Sequence, residues 1–210
     1  MDTIEYLEWR YAVKKFDAAK ILPASALDRL KKAFNLTATS YGLQPIKLVV
    51  IQNKALQEQL VPHSYHQQQV AQASHLLVIC INKTIDEPYI NTYFERVKQL
   101  RNTSDEILDP FKASLVKSFS AKTEEEIKQW AINQAYLALG NLLTVCAVEK
   151  IDACPMEGFV PAAYDQALGL EAYDLNAVLA LPIGYRAADD MFADFKKVRK
   201  TMEESILELS

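Results

Sequence analysis

Ile4 and Leu7, three residues apart, open the chain with the spacing of one helical face, and residues 10–16 (RYAVKKF) then interleave bases with apolar side chains. A second helix is predicted after Pro23, with Ser25 as its N-cap and Leu30, Ala33, Phe34 and Thr37 along one side. Gly42 and Pro45 bracket polar residues in 39–45 and predict a turn, and residues 46–52 then form a strand. A short helical segment and a polar run, 63–69, precede residues 76–81 (LLVICI), a continuous apolar run. That run and its counterpart at 175–183 (LNAVLALPI) have the composition of strands covered on both faces. Residues 87–120 are helical in tendency and carry no identifiable chemistry. Thr123 followed by three glutamates opens a long helix running to about Lys150, its carboxylates near the positive end of the helix dipole. From 132 to 148 this helix is apolar nearly all round, which implies burial in a core or a subunit interface. Gln134 and Asn141 interrupt it seven residues apart on one face, so both amides need hydrogen-bond partners if buried.

Composition narrows the classes. A chain of 210 residues, 50% hydrophobic and 24% charged, fits one globular domain rather than a disordered or fibrous chain. With 27 acids against 23 bases, the net charge of −4 lacks the excess needed for backbone binding to nucleic acid. The first eleven residues lack a basic start followed by an apolar core, and no apolar run approaches ~18 residues. A cytoplasmic protein without a membrane partner is expected. Cys80, Cys146 and Cys154 form no CxxC pair, and His63, His66 and His75 have no ligand spacing, so neither a disulfide scaffold nor a metal site is expected.

The five glycines, Gly42, Gly140, Gly158, Gly169 and Gly184, are too scattered for a GxGxxG fingerprint or a P-loop. A bound phosphate would therefore be held by side chains. A dianion held that way calls for several guanidinium and ammonium donors, and Arg10, Lys197 and Arg199 form the available set. Taken singly, each basic stretch is read more readily as a solvated face.

Four segments in order span nearly the whole chain: Arg10-Tyr11-Ala12-Val13-Lys14, Thr39-Ser40-Tyr41-Gly42-Leu43-Gln44-Pro45, Pro155-Met156-Glu157-Gly158 and Lys197-Val198-Arg199. With Ala73-Ser74-His75 leading into the apolar run, the set resembles the FMN-dependent nitroreductase family. The likeness is strongest to the oxygen-insensitive NAD(P)H nitroreductases and dihydropteridine reductases of bacteria. The resemblance implies an α+β, three-layer fold, a mixed central sheet flanked by helices, and an intertwined homodimer with FMN at the interface. It also implies ping-pong hydride transfer from NADH or NADPH through flavin N5 to nitroaromatic, quinone or pterin acceptors. A flavin-binding storage or sensing module without turnover is the alternative.

Under the same resemblance, Arg10, Lys197 and Arg199 hold the FMN phosphate, beside Tyr11 and Ala12. Lys14 lies near the pyrimidine edge, where a cation stabilises negative charge on the reduced ring. Pro155 and Met156 present the backbone N–H of Glu157 to N5 and that of Gly158 to O4; Lys14 and the Glu157 backbone are the catalytic pair. Thr39, Ser40, Gly42 and Gln134 reach the other subunit's flavin, and residues 206–209 add a strand to its sheet. Three departures stand out. Ala12 replaces a hydroxyl residue near the phosphate, and His66 and Gln69 replace an asparagine and a lysine that contact the ring.

Overall fold

The two continuous apolar runs form the centre of the sheet. In the structure, a computed structural model describing residues 2–209, they are β2 (His75–Asn82) and β4 (Leu175–Gly184). β1 (Ile46–Ile51) flanks β2 and the short β3 (Asp152–Ala153) flanks β4, giving the order β1-β2-β4-β3. All three strand pairings are antiparallel. The sheet is therefore antiparallel rather than mixed as expected; the one parallel contact among the described residues is an isolated bridge, Ala12 to Ala153, where the N-terminal segment lies along β3.

Period-two alternation sends β2 side chains to two separate cores. Leu77, Ile79 and Ile81 face one layer, built by α2 (Ala24–Asn35), α5 (Glu87–Arg101), α6 (Asp105–Ser120) and α7 (Glu124–Val148). Leu76, Val78 and Cys80 face the other, built by α3 (Lys54–Leu60), α4 (Gln69–Gln72) and α8 (Pro161–Ala167). Both faces are thus covered, and three layers result. A bulge in β4 leaves Val178 out of register between Ala177 and Leu179. Leu175 and Ala177 point to the second core, while Leu179, Leu181 and Ile183 point to the first.

The long helix starts where expected: Thr123 Oγ1 accepts from the Glu126 N–H, and the Glu126 carboxylate accepts from the Thr123 N–H at 2.8 Å. Ala131, Ala135, Leu139, Leu142 and Cys146 pack into the first core, but Tyr136, Leu137 and Val148 remain exposed. Within one chain, burial therefore covers only part of the apolar circumference. By length and composition α7 is the one helix among the described residues long and apolar enough to cross a membrane, a test that the buried core helix of a folded domain also passes. It packs instead against β2 and β4.

Its two amides find partners. Gln134 Oε1 accepts the Ser40 N–H at 2.8 Å, and Asn141 Nδ2 donates to the Ala33 carbonyl and to Thr37 Oγ1. The amides lash the end of α2 and the following turn to α7. In that turn Gly42 has φ +74°, a left-handed conformation that favours glycine, and a Cβ there would stand 2.6 Å from the Tyr93 hydroxyl oxygen and force that side chain to shift. α2 begins at Ala24, after Pro23, which places Ser25 inside the first turn rather than at the cap. Proline supplies the extended φ that precedes a helix and has no N–H to satisfy. The tail has one helical turn, α9 (Met202–Ser205); residues 206–209 are exposed and form no strand within the chain.

Candidate cofactor site

The N-terminal helix α1 (Thr3–Trp9) ends at Arg10, whose extended backbone starts a segment threaded between β3 and the loop after β4. Asp190 pins that segment. Its carboxylate accepts from the Tyr11 hydroxyl at 2.9 Å and from the Lys14 N–H at 3.1 Å. Burial pushes the Asp190 carboxyl up, yet the bonds from Tyr11 and from the Lys14, Phe192 and Lys15 amides outweigh it and hold it below the usual range. A carboxyl whose folded value is depressed stabilises the fold above its unfolded value of about 4, and that contribution disappears as pH falls through the folded value. Asp190→Asn should therefore cost stability at pH 7 and progressively less below about pH 4. Urea unfolding across that range checks this, and a penalty constant with pH would contradict it.

Arg186 is taken up by structure: its guanidinium lies 4.5 Å from both the Trp9 and Tyr11 ring centroids and bonds Asp152 at 2.6 Å and 2.9 Å. Other cations stand nearby. A cleft of about 530 Å³ opens between residues 8–14, Pro155 and residues 192–199. Arg10, Lys14, Lys197 and Arg199 line it, and none of the four forms an ion pair among the described residues. The Lys197 ammonium donates to the Arg10 carbonyl, bringing the C-terminal cations onto the N-terminal one. Burial and the nearby Arg199 lower the Arg10 pKa; burial, Arg10 and Arg199 lower that of Lys197. Such mutual repulsion is relieved by a bound anion, so this donor set fits a terminal phosphate.

Beyond Pro155 the backbone is held rigidly. The Cys154 N–H donates to the Pro182 carbonyl at 3.0 Å, and Met156 exchanges both backbone bonds with Ala180 while its side chain fills the second core. The next two N–H groups, of Glu157 and Gly158, have no acceptor among the described residues. They are free donors on a fixed frame. The Glu157 carboxylate accepts from the Tyr136 hydroxyl at 2.6 Å, and the Gly158 carbonyl accepts from Gln67 Nε2 at 2.8 Å.

Gln69 is 5% exposed, with its amide directed at Gln67 and Cys154 rather than at open space. His66 is exposed and left-handed, φ 59°, next to Tyr65 at φ 51°. Two successive non-glycine residues in this region make a strained loop beside Gly158.

Arg10, Tyr11, Ala12, Lys14, Pro155, Lys197 and Arg199 therefore share one cleft, with Met156, Glu157, Gly158 and Gln69 adjoining through Pro155 and Cys154. Thr39, Ser40, Gly42 and Gln134 group separately, joined by the Ser40–Gln134 bond, and line no part of that cleft. Sequence reasoning missed Asp190, Tyr136 and the cleft aromatics Trp9, Phe192 and Phe195. Asp190 gave no signal, since the partners it pins, Tyr11 and Lys14, lie more than 170 residues away. Tyr136 sits on the same helix as Gln134, and its outward place two residues on was the available clue.

Comparison with known proteins bears on the family and the fold. The model of the Nitroreductase family matches residues 7–185, a span that stops short of Lys197 and Arg199. A Staphylococcus aureus protein (strain bovine RF122 / ET3-1) with the provisional name NAD(P)H nitroreductase is 30% identical over 196 residues, covering 89% of this chain and 87% of its own. Among solved structures, a nitroreductase-like protein of Streptococcus mutans superposes with a TM-score of 0.85 at 23% identity, covering 99% of this chain and 98% of its own. A structure from Exiguobacterium sibiricum, provisionally named a nitroreductase and in complex with FMN, gives 0.84 at 18% identity, covering 100% and 98%. The chain belongs to the nitroreductase family.

Proposed function

We propose that this nitroreductase-family oxidoreductase binds FMN in the cleft and uses NADH or NADPH to reduce nitroaromatic, quinone or pterin-type acceptors by a ping-pong cycle. Four cleft cations without an ion pair and two nearby backbone N–H groups without an acceptor, among the described residues, carry this reading. Bound FMN would supply the two-electron chemistry, accepting hydride from the nicotinamide and passing electrons to the acceptor. Arg10, Lys197 and Arg199 would hold its phosphate. The Glu157 and Gly158 N–H groups would donate to the ring edge where charge changes, and Lys14 would offset negative charge at the pyrimidine side. No side-chain acid or base is required for this.

A homodimer completes the proposal. Tyr136, Leu137 and Val148 point outward from α7, and Leu207 and Leu209 are more than 80% exposed. An apolar set of this extent is better accounted for by a second copy than by water. The Thr39–Ser40–Gly42 turn, fastened to Gln134, would then reach the partner's flavin. A cytoplasmic setting, where NAD(P)H is available, suits this chemistry.

Purified protein should be yellow, release FMN on denaturation, and bleach anaerobically with NADH or NADPH. Addition of a quinone or nitroaromatic should restore the colour. Colourless protein that takes up no added FMN would overturn the proposal, and yellow protein that neither nicotinamide bleaches would indicate a storage or sensing module.

A further inference from the structure

The Lys14 ammonium has one hydrogen-bond partner among the described residues, the Cys154 sulfur at 3.7 Å. Cys154 is fully buried and receives a second donor, Gln69 Nε2, at 3.9 Å. The same Gln69 nitrogen donates to Gln67 Oε1 at 2.9 Å, and Gln67 Nε2 donates to the Gly158 carbonyl at 2.8 Å. An unbroken chain of contacts thus runs from Lys14 through Cys154, Gln69 and Gln67 to Gly158, whose N–H is one of the two free donors.

We propose that Cys154 and Gln69 are positioning residues, holding the Lys14 ammonium and the Glu157–Gly158 peptides in one arrangement toward the flavin; this rests on the FMN reading above. The chemistry of each link supports it. Lysine carries a compact charge on a flexible stem, so its location depends on a tether. A thiol sulfur is a weak acceptor: it can orient the ammonium without cancelling its charge, as a carboxylate would. Burial raises the Cys154 pKa and Lys14 and Gln69 oppose it, with burial dominant, so the group stays a neutral thiol. Gln69 is a neutral donor of suitable reach. Its amide nitrogen has two hydrogens and here meets two acceptors, so position 69 acts through its neighbours rather than by touching the ring.

The test is anaerobic dye titration of FMN-loaded protein, comparing Cys154→Ala, Cys154→Ser, Gln69→Leu, Lys14→Met and the Lys14→Met/Cys154→Ala double variant. Lys14→Met should lower the two-electron potential. Cys154→Ala and Gln69→Leu should each lower it by part of that shift, between threefold and tenfold in the equilibrium constant, where tenfold corresponds to about 30 mV. Cys154→Ser, which restores an acceptor, should stay within twofold of wild type, and the double variant should fall no lower than Lys14→Met alone. A wild-type potential in Cys154→Ala and Gln69→Leu, with only thermal stability reduced, would overturn the proposal, as would additive shifts in the double variant. Should Cys154→Ala fail to fold, Gln69→Leu decides by the same criterion. Failure of the FMN reading shows separately, as wild-type protein that retains no FMN.

Discussion

Arg199→Ala is expected to weaken FMN binding by about 10- to 100-fold while changing riboflavin binding by less than about twofold. The argument turns on the one group that distinguishes the two ligands. Arg199 lines the cleft with Arg10 and Lys197, makes no ion pair among the described residues, and lowers the pKa of both neighbours by its field. A hydrogen bond to a charged partner contributes roughly 1.5–3 kcal/mol net. At about 1.4 kcal/mol per decade of affinity, that is one to two decades. Among the described residues the side chain's one hydrogen bond is to the neighbouring Val198 carbonyl, so its removal should leave the fold intact. Fluorescence titration of FMN-free protein with each flavin separates the cases, and equal losses for FMN and riboflavin would show that Arg199 is no phosphate ligand. Because the effect is electrostatic at a partly open site, the wild-type preference for FMN should also narrow as salt is raised.

What the chain discloses before folding follows from the range of the forces involved. β2 and β4 were legible because burial on both faces leaves a local record, an apolar run with no alternation. The start of α7 was legible because a capping box lies within four residues. Gln134 and Asn141 announced themselves as polar breaks in an apolar helix, and both amides proved to be bonded. The Arg10–Lys197–Arg199 set could be named as available donors, but likeness to a family was needed to prefer it over solvated charge, since its members are some 190 residues apart and each alone resembles surface charge. Asp190, the Arg186–Asp152 pair and the Cys154–Gln69 contacts had no such aid. Tertiary hydrogen bonds leave no periodicity, and a single carboxylate or thiol looks the same whether it anchors a loop or faces water. The outward part of α7 marks a further limit: apolar composition indicates burial, but not whether the cover comes from the same chain or a second one.

That distinction gives the other large effect, expected from two leucines on one helix. Leu142 is fully buried in the first core, while Leu137 is 54% exposed on the outward side. Leu142→Glu would place an unpaired carboxylate among apolar side chains at a cost of several kcal/mol, comparable with the ~5–15 kcal/mol that holds a typical domain together. It should unfold the chain or leave it aggregated, and so says nothing about subunits. Leu137→Glu, by contrast, exposes its charge to water in a monomer and buries it only in the proposed dimer. The variant should keep the wild-type circular dichroism spectrum, run as a monomer on sizing with light scattering, and lose FMN in parallel with the dimer. The coupling is expected because, in the proposed dimer, Thr39, Ser40, Gly42 and Gln134, which lie away from the cleft lined by Arg10, Lys197 and Arg199 of the same chain, would complete the partner's site. A folded Leu137→Glu monomer with undiminished FMN affinity would show that one chain suffices, and would detach the Ser40–Gln134 group from the cofactor altogether.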